Sequence, residues 1–404
     1  MVGNTYPYEQ DDWMNDILLA SSKGIDGFSL NVGVDSWQPE RVADAYAAAK
    51  TLLYGKELSF KLFMSLDMTS LPCASASDGN ILRDYIMRYQ YHPNQFRYQG
   101  KQFISTFSGE HCTFGAQSVD QGWNQVIRNG LSSVHFVPSF FVDPGTFNQF
   151  TCLDGVFNWN SGWPMGNYDI NNDSDNVYLS NLGGKTYMAA VSPWFFTHYG
   201  ADTYNKNFIY RADDWLLPRR WELLIQNEVR ADIVQVISWN DYGESHYFGP
   251  IEGAQPMSQG WTDGYDHQGW LDLMQYYISA YKAGKFLPVK RDRVFLWGRL
   301  YPVRAYAPDP VGKPGNWEFT QDFVWCVVLS SAPAKLSLSC GPSTLDVEVP
   351  SGVTKLRLPL ESDCAVSARL TRDYETVVDF TPEGFSFSVN PPMYNFNAFV
   401  AASP

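Results

Sequence analysis

Residues 233–249 read IVQVISWNDYGESHYFG. From Ile233 to Trp239 the run alternates and then turns apolar and β-branched, which predicts a buried strand continuing to Asn240. Beyond it Asp241, Glu244 and His246 follow in quick succession around Gly243, a residue that permits a tight turn. Trp239, Tyr242 and Tyr247 stand beside the two carboxylates. Paired acids flanked by aromatic rings suit sugar hydrolysis, where one carboxyl protonates the leaving oxygen and the other activates water. Helix capping explains the pair poorly, because the next helical pattern begins only near Gln268.

Outward from this stretch, short apolar runs recur at 27–33 (GFSLNVG), 60–67 (FKLFMSLD), 102–108, 133–140, 153–158 and 185–191. Helical spacing separates them at 11–23, 40–53, 81–89, 121–129 and 215–229, and a further helix is expected at 268–283. Strand–helix alternation of this kind predicts parallel strands and, at this count, a (β/α)8 TIM-type barrel over residues 1–285. An open doubly wound sheet is disfavoured because no GxGxxG follows any strand. The eighth strand has room only at the N-terminus, with Met1–Gly3 as its end and most of it outside the chain. From 286 to 404 the texture changes to short alternating runs with turn residues between them, and an all-β sandwich is expected as an accessory domain.

Composition narrows the partners. A formal charge of −14 argues against nucleic acid and against an anionic membrane surface. No run reaches the length of a membrane span, and no signal peptide is present in the chain. Aromatic residues make up 16% of the sequence, a level that fits either core filling or ring stacking on sugars. The six cysteines show no CxxC and no metal-ligand spacing, so neither a metal nor a cofactor is expected. Three fall in each half of the chain, so each half keeps an unpaired cysteine unless a bridge joins the halves. A monomer is expected.

In a barrel, catalytic groups come from the C-terminal ends of several strands. Those ends carry Asn31, Asp67, Glu110 with His111, Asn158 with Trp159, Trp194 with His198, and the 241–246 cluster. Each has a plainer reading. Asp67 can begin a turn, Glu110 and His111 can be a solvated loop, Trp159 and Trp163 can pack a wall, and His246 can be a structural histidine.

Taken together, MVGNTYPY, GIDGFSLNVG, FKLFMSLDM, FVPSFF, GVFNWNSGWP and above all SWNDYGESHYFGP resemble glycoside hydrolase family 71, the fungal endo-α-1,3-glucanases or mutanases. The resemblance spans essentially the whole chain. It implies a (β/α)8 domain followed by a β-sandwich, and hydrolysis of α-1,3-glucan with inversion. It also implies essential acids at Asp67, Asp241 and Glu244, and a secreted or cell-wall location, while the lack of a signal peptide leaves an intracellular form open. Within the pair, Glu244 beside Tyr247 and Phe248 is expected as the acid and Asp241 as the base. Asn31, Glu110, His111, Asn158, Trp159, Trp194, His198, Tyr242 and His246 are expected to bind substrate. The competing readings are a related barrel glycosidase such as an endo-α-mannosidase, and a carbohydrate-binding protein without turnover.

Overall fold

A computed structural model describes residues 1–404 except Ser132. The strands are β1 (Gly27–Val32), β2 (Lys61–Asp67), β3 (Arg97–Tyr98), β4 (Lys101–Phe107), β5 (Val134–Phe136), β6 (Gly155–Asn158), β7 (Thr186–Val191), β8 (Phe196–His198), β9 (Asn207–Ile209) and β10 (Ile233–Val236). They continue with β11 (Arg293–Gly298), β12 (Phe323–Ser330), β13 (Ala334–Cys340), β14 (Ser343–Val349), β15 (Gly352–Pro359), β16 (Cys364–Arg372), β17 (Glu375–Phe380), β18 (Ser386–Phe387) and β19 (Phe399–Ala402). The helices are α1 (Gln10–Ser22), α2 (Gln38–Lys56), α3 (Asp78–Tyr89), α4 (Val119–Arg128), α5 (Asp173–Asn181), α6 (Leu216–Ile225), α7 (Gln259–Thr262) and α8 (Gln268–Ala283). The chain divides into two compact units, one of residues 1–162, 172–190 and 227–236, the other of 163–171, 191–226 and 237–404.

The first unit holds the strand–helix alternation. β1, β2, β4 and β5 run parallel side by side, and β6 pairs in parallel with β7, which neighbours β10. Asp154 N donates to Phe136 O at 2.9 Å and Phe157 N to Pro138 O at 2.8 Å, which joins the two sets of strands. Parallel strands are covered on both faces, so their sequences run apolar. Leu62, Met64, Leu66, Ile104, Met188 and Ala189 are accordingly fully buried. β1 and β10 are the outer strands among these, and β10 is only half-buried along its length.

Two expectations change here. Met1–Gly3 is not a strand end: Val2–Thr5 is a turn of 3-10 helix, closed by the Thr5 hydroxyl donating to Val2 O at 2.8 Å. The run expected to continue to Asn240 stops as a strand at Val236. Beyond it the chain bonds to itself, Ser238 N donating to His246 O at 2.8 Å and Phe248 N to Ser238 O at 3.0 Å. Those groups are then no longer free to extend a ladder.

The second unit contains the β8–β9 hairpin, α6–α8 and two antiparallel sheets. Their strand orders are β15-β12-β11-β19 and β14-β13-β16-β17, with β18 on β16. Val294, Leu296, Val324, Cys326 and Val328 of the first sheet form one apolar cluster with Leu336, Leu338, Val366 and Leu370 of the second. Cys340 is bonded to Cys364 at the rim of that cluster, and Cys73 to Cys112 in the first unit. Cys152 and Cys326 remain free and buried, as the odd number in each half requires. The C-terminal segment returns to residues well before 286. Trp194 Nε1 donates to Phe396 O at 2.9 Å, and Asn397 Nδ2 donates to Trp261 O at 2.9 Å. The compact unit therefore reaches across the 285/286 boundary expected from texture.

Candidate active site

The 238–248 loop begins with Ser238, whose Oγ accepts the Asp241 N–H at 2.9 Å. The same oxygen lies 2.9 Å from His246 Nδ1, which leaves Nε2 to donate to Glu244 Oε2 at 3.0 Å. His246 is fully buried, with the rings of Trp163 and Phe195 each 5.8 Å away. The turn itself is a short 3-10 helix, Tyr242–Glu244, preceded by Asp241, which makes no side-chain capping bond. Both carboxylates are thus spared from holding the backbone. Gly243 is needed for space rather than for an unusual φ: a Cβ there would meet the Tyr199 hydroxyl at 2.2 Å. That hydroxyl donates to Pro256 O at 3.0 Å and is not free to withdraw.

One oxygen each from Asp241 and Glu244 and one nitrogen of His246 lie within 4.8 Å of one another. Such a trio is close enough to hold a cation, but His246 and Lys206 already place donors on Glu244. Lys206 Nζ is 3.8 Å from Glu244 Oε1. For Asp241 the nearest of these donors is His246 Nε2, at 4.0 Å. The two acids therefore diverge. Burial and then the Glu244 charge push Asp241 up to about 6, against the pull of His246 and Lys206. Burial also acts to raise Glu244, but the hydrogen bond and charge of His246, with Lys206, outweigh it and hold Glu244 below its ordinary value. Pairs pushed apart in this way are a signature of divided acid and base roles. The direction is opposite to the assignment expected from sequence, because the hydrogen-bonded member is Glu244.

Several expected substrate-binding residues are occupied elsewhere. Asn158 is fully buried, its Nδ2 donating to Ser174 Oγ at 3.0 Å and to Tyr187 Oη at 3.1 Å. Trp194 is buried with its indole on Phe396 O. His198 lies between Asn207 Oδ1 and Asp309 Oδ2, 2.8 Å from each, with 2% of its side chain exposed. Tyr242 is buried and donates to Pro250 O at 2.9 Å. His246 likewise has no face open to a sugar. These five hold the frame, because groups buried and already bonded cannot meet a ligand without breaking those bonds.

In the first unit Asp67 ends β2 and is half-buried, and its Oδ1 accepts from Thr69 N at 3.0 Å and from Thr69 Oγ1 at 2.6 Å. That is the turn-starting role, and it leaves Oδ2 outside the turn. Glu110 is 8% exposed and accepts from Ser108 Oγ at 3.0 Å, while His111 is 93% exposed. Glu110 is set by a tight turn at Gly109, where φ is +115° and a Cβ would strike Trp123 at 2.8 Å. Trp159 is half-buried, edge-on to Phe107 at 4.8 Å, and Phe107 in turn meets the exposed Phe141 at 5.4 Å. Asn31 is half-buried at the end of β1. Glu110, Trp159 and Asn31 thus keep some surface at strand ends.

Sequence reading missed Ser238, Lys206, Phe195 and Tyr210, whose ring lies 4.4 Å from that of Phe195. Ser238 had a signal, a lone hydroxyl three residues before the first acid. Lys206 had none, since it lies in the irregular stretch ADTYNK.

The whole chain, residues 1–404, matches the family described as Glycosyl hydrolase family 71. A glucan endo-1,3-alpha-glucosidase of Schizosaccharomyces pombe is 38% identical, over 99% of this chain and 92% of its own length. A mutanase of Penicillium rubens is 32% identical, over 100% of this chain and 87% of its own. Among solved structures, the GH99 endo-alpha-mannosidase from Bacteroides thetaiotaomicron is similar in fold, with a TM-score of 0.51 at 12% identity over 68% of this chain and 80% of that one. With a family match along its entire length and relatives above 30% identity at near-complete coverage, the chain is a member of glycosyl hydrolase family 71.

Proposed function

We propose that this protein hydrolyses internal α-1,3-glucosidic bonds of α-1,3-glucan, with Asp241 as general acid and Glu244 as general base. The relatives named above support the substrate, and the opposed environments of Asp241 and Glu244 carry the mechanism. Glu244, ionised, takes a proton from water as the water oxygen attacks the anomeric carbon. The bond from that carbon to the bridging oxygen breaks as Asp241 gives its proton to the departing glucosyl unit. Exchange with solvent then removes the proton from Glu244 and restores one to Asp241. Asp67, through Oδ2, and Glu110, Trp159, Asn31 and the exposed His111 are proposed as sugar contacts belonging to the first unit.

In this reading residues 1–285 form a (β/α)8 catalytic barrel and 286–404 an accessory β-sandwich. The similarity to a barrel-type mannosidase supports that architecture only at the level of fold. A polysaccharide substrate, a monomeric chain and a secreted or cell-wall location belong to the same proposal. One relative is named for the ascus wall, and no helix among the described residues is long and apolar enough to cross a membrane.

Inversion gives the β-anomer first. A second reading, retention, is favoured by one observation: the nearest oxygens of the two acids lie within 4.8 Å, whereas inverting pairs are usually about 6.5–9.5 Å apart. Hydrolysis of insoluble α-1,3-glucan followed by NMR decides both points. Release of oligosaccharides with the β-anomer first is expected. Early α-anomer would make Glu244 a nucleophile, and activity on mannan oligosaccharides but not on glucan would overturn the substrate.

A further inference from the structure

The loop joining β8 to β9, residues 199–206, is not part of any strand-end pattern, yet it delivers a cation to the acid pair. Tyr199 N donates to Lys206 O at 2.7 Å, closing the hairpin, and Asn205 turns back with φ +51° and its N–H on Gly200 O at 3.1 Å. The residues between are exposed. Lys206 emerges from this closure with its ammonium 3.8 Å from Glu244 Oε1, while His246 occupies Oε2. Each oxygen of Glu244 therefore faces its own donor, one buried and one at the solvent side.

We propose that Lys206 is a positioning residue for the reaction, its ammonium fixing the charge and orientation of Glu244 from the open side of the site. The inference rests on the assignment of Asp241 and Glu244 as the reacting acids. Among the described residues, four other titratable groups face Glu244: Asp241 and His246 on its own loop, Tyr199 just after β8, and Tyr210 just beyond β9. Both tyrosines are raised, by burial first and additionally by the neighbouring carboxylate charge, so both stay neutral at working pH and neither supplies a charge to Glu244. His246 is buried behind the pair. Lys206 is thus the solvent-side cation on Glu244, and because it is 56% exposed its influence is partly screened by water and salt.

The test is the pH–rate profile of Lys206→Met against that of the wild type and Lys206→Arg, on soluble α-1,3-gluco-oligosaccharides. Removing the cation makes ionised Glu244 harder to form, so the acidic limb of kcat should move upward by roughly half a pH unit. KM should stay within about twofold, and Lys206→Arg should restore the limb. The melting temperature checks that the exposed loop leaves the fold intact. If the limb stays in place, the proposal is overturned, even if activity falls, because a substrate contact or a purely structural role would lower the rate without moving the limb. If the alkaline limb moves instead, Lys206 does set the charge of Glu244, and the assignment of Glu244 as base is what fails. Retained activity in Glu244→Gln would remove the underlying reading and overturn this proposal with it, because no reacting carboxylate would remain for Lys206 to position.

Discussion

Asp67 is the last residue of the apolar strand β2 and Asp241 comes shortly after the end of β10, and both stand beside polar, turn-forming residues. Their surroundings have opposite consequences. Asp67 spends Oδ1 on Thr69 and shapes its own turn. Asp241 makes no capping bond, and its backbone N–H is satisfied by Ser238 instead, so the carboxyl is left for chemistry. It is also shielded and set against a second acid, which raises it. The neighbouring donors, more than the position near a strand, therefore set what each carboxyl group is free to do.

The sharpest way to break this comparison is to neutralise the pair. Asp241→Asn and Glu244→Gln should each lose at least about 10³-fold in reducing-end release from α-1,3-glucan, within the range for losing a general acid or base. Both should still bind the polysaccharide in a pull-down. If Asp67→Asn proved equally inactive while its turn stayed intact, the two acids would not differ as argued.

His246 comes next. His246→Ala removes the donor on Glu244 Oε2 and leaves a buried gap beside Trp163 and Phe195, and a loss of roughly 10²-fold in kcat is expected. The profile sharpens the same point. With Asp241 near 6, kcat/KM of the wild type should fall as pH rises through about 6, because the acid loses its proton. In His246→Ala the acidic limb should move up, since Glu244 then becomes harder to ionise. The raised Asp241 also bears on stability. Its folded value exceeds the unfolded one, so its protonation favours the folded chain at low pH, and that contribution is lost as pH rises through about 6.

Asp67→Asn should have a smaller effect on turnover, about tenfold, because the amide keeps an acceptor for Thr69 and loses only the charge proposed to meet a sugar hydroxyl. Product-release rates on oligosaccharides of fixed length measure it. The smallest effect on catalysis is expected at Asn397, which donates to Tyr247 Oη at 3.2 Å and to Trp261 O at 2.9 Å from the C-terminal segment. Asn397→Ala should cost about 1–3 kcal/mol of stability by leaving buried partners unpaired, read from denaturant unfolding. An unchanged midpoint would mean that the C-terminal segment does not support the Tyr247 end of the 238–248 loop.

The alternation of strands and helices, the all-β character of the last third and the 241–244 acid pair were legible in the sequence, because each is a local pattern. Apolar periodicity fixes which residues must be buried, and two carboxylates on one turn are neighbours by chain geometry alone. Short elements escaped: the β8–β9 hairpin and β19 are too brief to show a period, and α5, which buries only Asp175, carries no apolar stripe. Other features depend on residues far apart in the chain. Lys206 reaches Glu244 only because a hairpin folds back, Trp194 is closed off by Phe396, and the roles within the pair turn on which carboxylate meets His246 and Lys206. The sequence determined where the acids lie. The tertiary structure decided their charge, because a carboxyl group responds to donors and burial within a few ångströms, and the neighbours that supply them are brought there by folding.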